Sequence, residues 1–542
     1  MSAGGSATVS KSGILHYIFT QKAIITFDAM KKNLSRVVFR RRVFVISTLL
    51  VQIAFIVFLV AGTGIYVQYA NWVLNIISVF VCVHVLNKRT KAAYKIIWIF
   101  LIMLFPIFGG ILYIFFISQS NPRKMRRMIR RIIKESKESF YLSGNRLTDL
   151  IGAYPEFKPQ AHYLQDYAGY PVFSNTRPLY LDSGEAFFRR LLEELEKAER
   201  YVFLEFFILK EGEMLNSVVA LLERKAQQGL DVRLIYDDLG CFMSLPADYH
   251  RQLEQKGIKC FVFNRFRPIL SSLQNNRDHR KIVSIDGKVA FTGGVNLADE
   301  YANVVERFGH WKDAAIMLEG EGAWSLTLIF LQMWNMSPSH AADASYGSFY
   351  PWKESPCPVP PDGFVQPYAD SPIDEENVGE HVYIQIINKA KKYVYITTPY
   401  LVPDDNLLSA LALAAKSGVD VRIITPHRWD KWFVAIISRS YYRQLISAGV
   451  KVYEYTSGFN HGKTFVCDDV VATVGTTNLD YRSLYLHFEC GVLVYQGGAV
   501  QAVKEDFLRT VPKSHEMTLK ECARNAFQRV APDVLRIFAP LM

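Results

Sequence analysis

The sequence predicts an α/β protein, with two tandem α/β domains behind an N-terminal helical membrane domain. Residues from about 145 to 542 repeat with a period of about 180–190 residues, as tandem domains of like fold do. Ahead of them, three long apolar runs crowd into residues 43–118, a density that suits a bilayer better than a globular core. At 542 residues the chain is also too long for one ordinary domain.

Residues 1–42 are expected to be a cytoplasmic or interfacial segment. Residues 43–65 carry no charge and are long enough to cross a bilayer as a helix. A run so late and so long, without a small-residue cleavage pattern, does not suit a signal peptide. A second run covers 72–86 and a third covers 96–117. Arg36, Arg40, Arg41 and Arg42 precede the first run, and Lys88, Arg89, Lys91 and Lys95 follow the second. The positive-inside rule then predicts a hairpin with both ends in the cytoplasm. Pro106, Gly109 and Gly110 interrupt the third run, so it is expected to enter and return as a re-entrant or interfacial hairpin. That places the tandem domains in the cytoplasm.

Residues 119–144 are expected to hold a basic amphipathic helix and a linker. Met125, Met128, Ile129, Ile132 and Ile133 share one helical face, and Arg123, Lys124, Arg126, Arg127, Arg130, Arg131 and Lys134 lie around the rest. Such a helix reads as lying on an anionic lipid surface. The formal charge of +11 favours a polyanionic partner, and this helix makes that partner a membrane rather than nucleic acid. Seven scattered cysteines without a CxxC pair read as reduced thiols, not a disulfide framework or zinc site.

The duplication assigns the remainder. AERYVFLEFFI (198–208) resembles AKKYVYITTPY (390–400), and LLERKAQQGLDVRLIYDD (221–238) resembles ALAAKSGVDVRIITP (412–426). Each copy reads as strand, helix, glycine, strand. The first domain is expected over 145–340 and the second over 379–542. The Pro-, Ser- and Gly-rich stretch between them gives a linker at 341–378.

Both copies contain H-x-K-x4-D-x9-N: His279, Lys281, Asp286 and Asn296, then His461, Lys463, Asp468 and Asn478. In a strand, residues i and i+2 project to one face, so each His and Lys point into the same space. Asp286-Gly287 is a favoured hairpin turn that returns the next strand, bringing Asn296 near the motif's start. Two copies face to face would gather two histidines, two lysines and two asparagines. This is an oxygen-seeking set without a typical metal-ligand arrangement, so neither metal nor cofactor is expected.

The doubled motif resembles that of the phospholipase D superfamily, and the text around it resembles bacterial cardiolipin synthases. The resembling stretches are FTGGVNLADEY (291–301), TTPYLVPDD (397–405), GTTNLDYRSLYLHFE (475–489) and residues 87–116. Two positions depart from the family pattern: Gly-Thr-Thr-Asn stands where Gly-Ser-x-Asn is frequent, and His487 where Asn is common. The resemblance implies two phospholipase D-like α/β/α sandwich domains in a bacterial inner-membrane enzyme, and a homo-oligomer is compatible with it. It implies transfer of a phosphatidyl group from one phosphatidylglycerol to another, giving cardiolipin and glycerol through a covalent phosphatidyl-histidine. A membrane phospholipase D, or a transphosphatidylase using another alcohol, is the alternative. By resemblance His279 is the nucleophile and His461 the general acid/base. Lys281, Lys463, Asn296 and Asn478 would hold the phosphate oxygens, while Asp286 and Asp468 would support the site. Glu205, Tyr400, Arg482, Ser483, Glu489 and Asp313 are further candidates for contact with substrate or with the catalytic groups.

Overall fold

The computed structural model describes residues 50, 53–54, 65–88, 90–105, 109–110, 112–114, 122–266, 272–337, 345–374, 376–522, 532 and 534–541. The chain divides into one unit of residues 1–119 with 267–271, and another of 120–266 with 272–542.

The larger unit contains two mixed sheets with one repeated topology. The first runs edge to edge as Thr176–Leu181, Ala315–Gly320, Val289–Gly293, Ile282–Ile285, Tyr201–Phe206, Asp231–Asp237 and Lys259–Phe263. The second runs as Phe364–Asp370, His487–Tyr495, Val471–Gly475, Thr464–Cys467, Tyr393–Thr397, Asp420–Pro426 and Lys451–Tyr455, with Ser514–Glu516 beyond. The near-continuous apolar strands form the parallel part of each sheet, where both faces are covered. Val202 pairs with Val232 there, and Val394 with Val421. One apolar core holds residues of both sheets, among them Phe203, Ile235, Val466 and Val492. Helix Glu321–Trp334 is buried along nearly its whole length within it.

Two short ladders join the halves, and they position the site. Arg277–Asp278 of the first half pairs in parallel with His487–Phe488 of the second. Gly458–Asn460 of the second half pairs in parallel with His310–Lys312 of the first. Each ladder ends next to a motif histidine. The His279 backbone N–H donates to Phe488 O at 3.0 Å, and that of His461 to Lys312 O at 2.7 Å.

Two expectations need correction. Residues 364–370, assigned to the linker 341–378, form the edge strand of the second sheet, with Asp370 opposite Glu489. Its sequence, FVQPYAD, contains a proline that an edge strand tolerates and that obscures the strand signal. The basic helix forms at Pro122–Ser136, but protein covers most of its apolar stripe, and only Ile133 of the stripe is exposed. Ile129 and Ile132 are buried in the shared core, with Met125 and Met128 packed against it. Periodicity reports that a face is buried, not what covers it.

In the smaller unit, helix Ile65–Leu86 covers the second apolar run and Ala92–Leu104 opens the third. Beyond Leu104 the chain reverses. Tyr113 packs edge-on against Trp98 at 5.2 Å and joins Val85 and Ile102 in a small cluster. Gly109 permits the reversal, because a Cβ there would lie 2.5 Å from Leu101 O. The first run, 43–65, lies almost wholly outside the described residues, as do residues 1–42. Among the described residues no helix is long and apolar enough to cross a membrane.

Candidate active site

Each motif histidine is held by a carboxylate from the opposite half. His279 Nδ1 lies 3.0 Å from Glu489, and His461 Nδ1 lies 2.7 Å from Asp313 Oδ2. A carboxylate only accepts hydrogen bonds, so Nδ1 carries the proton in both rings and Nε2 is left with its lone pair. The ladders explain the reciprocity. Residues 277–278 lead into His279 while 487–488 lead into Glu489; residues 458–460 lead into His461 while 310–312 lead into Asp313.

The second contacts of the two carboxylates differ. Asp313 Oδ1 accepts from Ala314 N at 2.9 Å, and Oδ2 also accepts from Trp311 Nε1 at 3.1 Å. Glu489 Oε2 instead accepts from the Thr476 hydroxyl. Backbone space matches each pair. Position 294 must be glycine, since a Cβ there would sit 2.0 Å from Asp313 Oδ1, whereas the matching Thr476 supplies the hydroxyl that meets the longer Glu489.

The lysines stand beside their histidines. Lys281 Nζ donates to His279 O at 2.6 Å and Lys463 Nζ to His461 O at 2.5 Å. All four groups are buried, and this sets their protonation. Burial, then Lys281 and Lys463, push His279 well below the usual imidazole value. Burial and Lys463 push His461 down to about 4, against the pull of Asp313. Burial lowers Lys281 to about 8, opposed by Glu489. Burial lowers Lys463 to about 7, opposed by Asp313 and helped by Lys281. Burial alone would raise Asp313, but His461 and Lys463 hold it below the ordinary carboxylate value. Such a cluster of desolvated cations and neutral imidazoles favours an anion among them.

The histidines open onto one cavity of about 620 Å³, which Asn296, Asn478, Tyr400 and Arg482 also line. Asn296 Oδ1 accepts from Ile208 N and its Nδ2 donates to Tyr301 OH. Asn478 Nδ2 donates to Ser483 Oγ at 3.0 Å, so Ser483 positions that amide from outside the lining. Tyr400 OH donates to Asp430 at 2.6 Å. Phe207, Phe433 and Ile437 supply apolar wall.

Three candidate residues fall elsewhere. Asp286 sits at the far end of its strand, about 16 Å from Lys281 at 3.3 Å per residue. Its carboxylate accepts from the backbone of Glu199, Arg200 and Tyr201, each at 2.8 Å. Asp468 accepts in the same way from Lys391, Lys392 and Tyr393. Asp286 and Gly287 both have positive φ, as do Asp468 and Asp469, so both turns are left-handed. These aspartates fasten one turn to a neighbouring strand and do not reach the cavity. Glu205 is also absent from it. It lies buried in its strand, 4.0 Å from Arg280, and burial followed by Asp278 raises it well above the ordinary carboxylate value. Two residues outside the paired histidine, lysine and asparagine set, His487 and Glu489, have donor atoms within 4.8 Å of one another and of His279.

Residues 191–310 and 383–511 match the family described as cardiolipin synthase, PLD-like domain, and residues 73–117 match phospholipase D-nuclease N-terminal. A cardiolipin synthase of Halalkalibacterium halodurans is 31% identical over 89% of this chain and 98% of its own. The chain belongs to the cardiolipin synthase family of the phospholipase D superfamily. An uncharacterized protein of Streptococcus mutans is 41% identical over 85% of this chain and 99% of its own. A phosphatidylserine synthase structure from Haemophilus influenzae is 15% identical, with a TM-score of 0.52 over 70% of this chain and 96% of that one, a likeness of fold.

Within this cardiolipin synthase family member, the sequence reading singled out Glu489 and Asp313 without their partners. A faint signal existed: Trp311-Lys-Asp313 leads into strand Ala315–Gly320 and His487-Phe-Glu489 opens strand His487–Tyr495, two strands that hold matching places in their sheets. Tyr301, which holds Asn296, and Thr476, which holds Glu489, carried no such signal.

Proposed function

We propose that this chain is a phosphatidyltransferase that forms cardiolipin and glycerol from two molecules of phosphatidylglycerol. The reciprocal pairing of His279 with Glu489 and His461 with Asp313 carries the reading, because it supplies one oriented nucleophile and one oriented proton carrier at a single anion-seeking cavity.

His279 Nε2 attacks phosphorus, and the bond from phosphorus to the headgroup glycerol breaks. His461 gives its Nε2 proton to the departing oxygen. Lys281, Lys463 and the asparagine amides hold the non-bridging oxygens, where negative charge grows. The phosphate's own charge raises both imidazoles from their lowered values, so His461 takes up the proton it needs once substrate is in place. A primary hydroxyl of the second phosphatidylglycerol then attacks phosphorus, His461 removes its proton, and the phosphorus–nitrogen bond breaks. The apolar walls and burial exclude competing water.

The acceptor requires two lipids to meet at one site, which a membrane anchor favours. Trp72, Ile76, Phe80 and Val83 on helix Ile65–Leu86, and Phe100 and Met103 on Ala92–Leu104, expose large apolar side chains. These support a bacterial membrane location for the N-terminal unit, with the catalytic halves in the cytoplasm.

Purified full-length protein given phosphatidylglycerol alone should yield cardiolipin and glycerol in equal amounts by mass spectrometry. Phosphatidic acid without cardiolipin rejects the transferase assignment. A phosphatidyl adduct trapped on His279 in a His461→Ala variant is expected, and an adduct on His461 in a His279→Ala variant reverses the two roles.

A further inference from the structure

The two half-sites differ at the aromatic residue that precedes each carboxylate. Trp311 and His487 stand in equivalent places, two residues before the carboxylate that holds the opposite histidine. Trp311 satisfies its carboxylate at 3.1 Å. His487 does not: its Nδ1 stands 3.6 Å from Glu489 Oε1, too far for a hydrogen bond. Both atoms are buried and make no hydrogen bond to the described residues. His487 and Glu489 are at least nine-tenths buried, at 9% and 0% exposure. The rings of His279 and His487 lie 5.3 Å apart.

We infer that a zinc-type divalent ion binds between His279 Nδ1, His487 Nδ1 and Glu489 and reversibly shuts the enzyme off. Metal–ligand bonds of about 2.0–2.2 Å set tetrahedral ligands about 3.3–3.5 Å apart. The present separations of 3.0 Å and 3.6 Å bracket that spacing. Two imidazoles and one carboxylate suit zinc, whereas magnesium and calcium prefer an all-oxygen set.

The inhibition follows from the tautomer and rests on His279 being the nucleophile, as proposed above. An ion at His279 Nδ1 needs that lone pair, so the ring's single proton moves to Nε2. The atom that must attack phosphorus then has no free pair, and Glu489 is drawn onto the ion. His487 shifts its proton in the same way, so no net proton is released. Arg482 opposes binding. Its Nε lies 3.4 Å from His487 Nε2, and that guanidinium must swing away once Nε2 carries hydrogen. The enzyme would therefore run without metal and be silenced by one.

The test uses full-length protein in detergent micelles of phosphatidylglycerol, titrated with zinc or magnesium. Zinc should inhibit, excess chelator should restore activity, and magnesium should do neither. His487→Asn should raise the half-inhibitory zinc concentration at least about tenfold relative to that variant's own uninhibited rate. Independently of turnover, cobalt(II) added to wild-type protein should give the intense visible absorption of a four-coordinate nitrogen–oxygen site, competed away by zinc. Equal zinc sensitivity in wild type and His487→Asn, or the absence of the cobalt band, overturns the inference. A cobalt band in protein that makes no cardiolipin keeps the metal site and rejects the proposed reaction instead.

Discussion

Replacing Asp313 by asparagine preserves the side chain's size and removes its charge. Asp313 accepts three hydrogen bonds, from His461 Nδ1, Trp311 Nε1 and Ala314 N. An asparagine can present its oxygen to only one side. Facing His461 and Trp311 with the oxygen turns its NH2 toward the Ala314 N–H; the opposite orientation turns the NH2 toward two donors and forces His461 to carry its proton on Nε2. Losing one charged hydrogen bond costs about 1.5–3 kcal/mol, and a buried donor left unsatisfied costs about 1–3 kcal/mol more. The sum of about 2.5–6 kcal/mol falls mainly on the step in which His461 is an imidazolium, so kcat should drop by about 10²- to 10⁴-fold. KM should change little, because Asp313 lies behind His461 and does not line the cavity. The assay is initial-rate cardiolipin formation, with thermal unfolding as the check on folding. A folded Asp313→Asn enzyme within about threefold of wild-type kcat would refute the proposition that this carboxylate fixes the tautomer of His461.

Asp286→Ala and Asp468→Ala should each lower the unfolding temperature, since three backbone N–H groups lose their acceptor at about 1 kcal/mol or more apiece; a loss of kcat at unchanged unfolding temperature contradicts the turn-fastening role. Lys463 has a folded value near 7 against an ordinary value of 10.5, so the folded state binds this proton less readily. Its burden on stability therefore grows as pH falls from 10.5 toward 7 and is complete below that. Lys463→Met should raise the unfolding temperature at pH 7 in calorimetry while abolishing turnover. In a pH profile, kcat/KM should fall above about pH 7 to 8 as Lys463 and Lys281 lose charge, and any activity left in Lys463→Arg should lose that first alkaline step. Activity should survive a chelator, and complete loss restored by a divalent ion contradicts phosphate binding by lysine and asparagine alone.

The duplicated strand–helix–strand text predicted the architecture well, because strands buried on both faces must be apolar wherever they sit in the sheet. His279, Lys281, His461 and Lys463 were legible for a similar reason: a two-residue spacing in an extended chain fixes which side chains share a face. Asp286 and Asp468 show the limit. They belong to the same motif and have the same spacing, yet they lie at the turn end of the strand, and their partners are backbone groups about 75–87 residues away in sequence. Glu205 failed similarly, since an acid in an apolar strand gives no sign of whether it meets a cavity or an arginine beneath the sheet.

The sequence by itself determined the repeated fold, the two histidine–lysine pairs and the apolar character of the N-terminal region, because each is written in local periodicity. Only the tertiary structure decided which carboxylate holds which histidine, and that the stripe of Ile129 and Ile132 faces protein. Both depend on contacts across the halves. His279 and Glu489 are separated by 210 residues, and they meet only because two short ladders, 277–278 with 487–488 and 310–312 with 458–460, set the register of one half against the other.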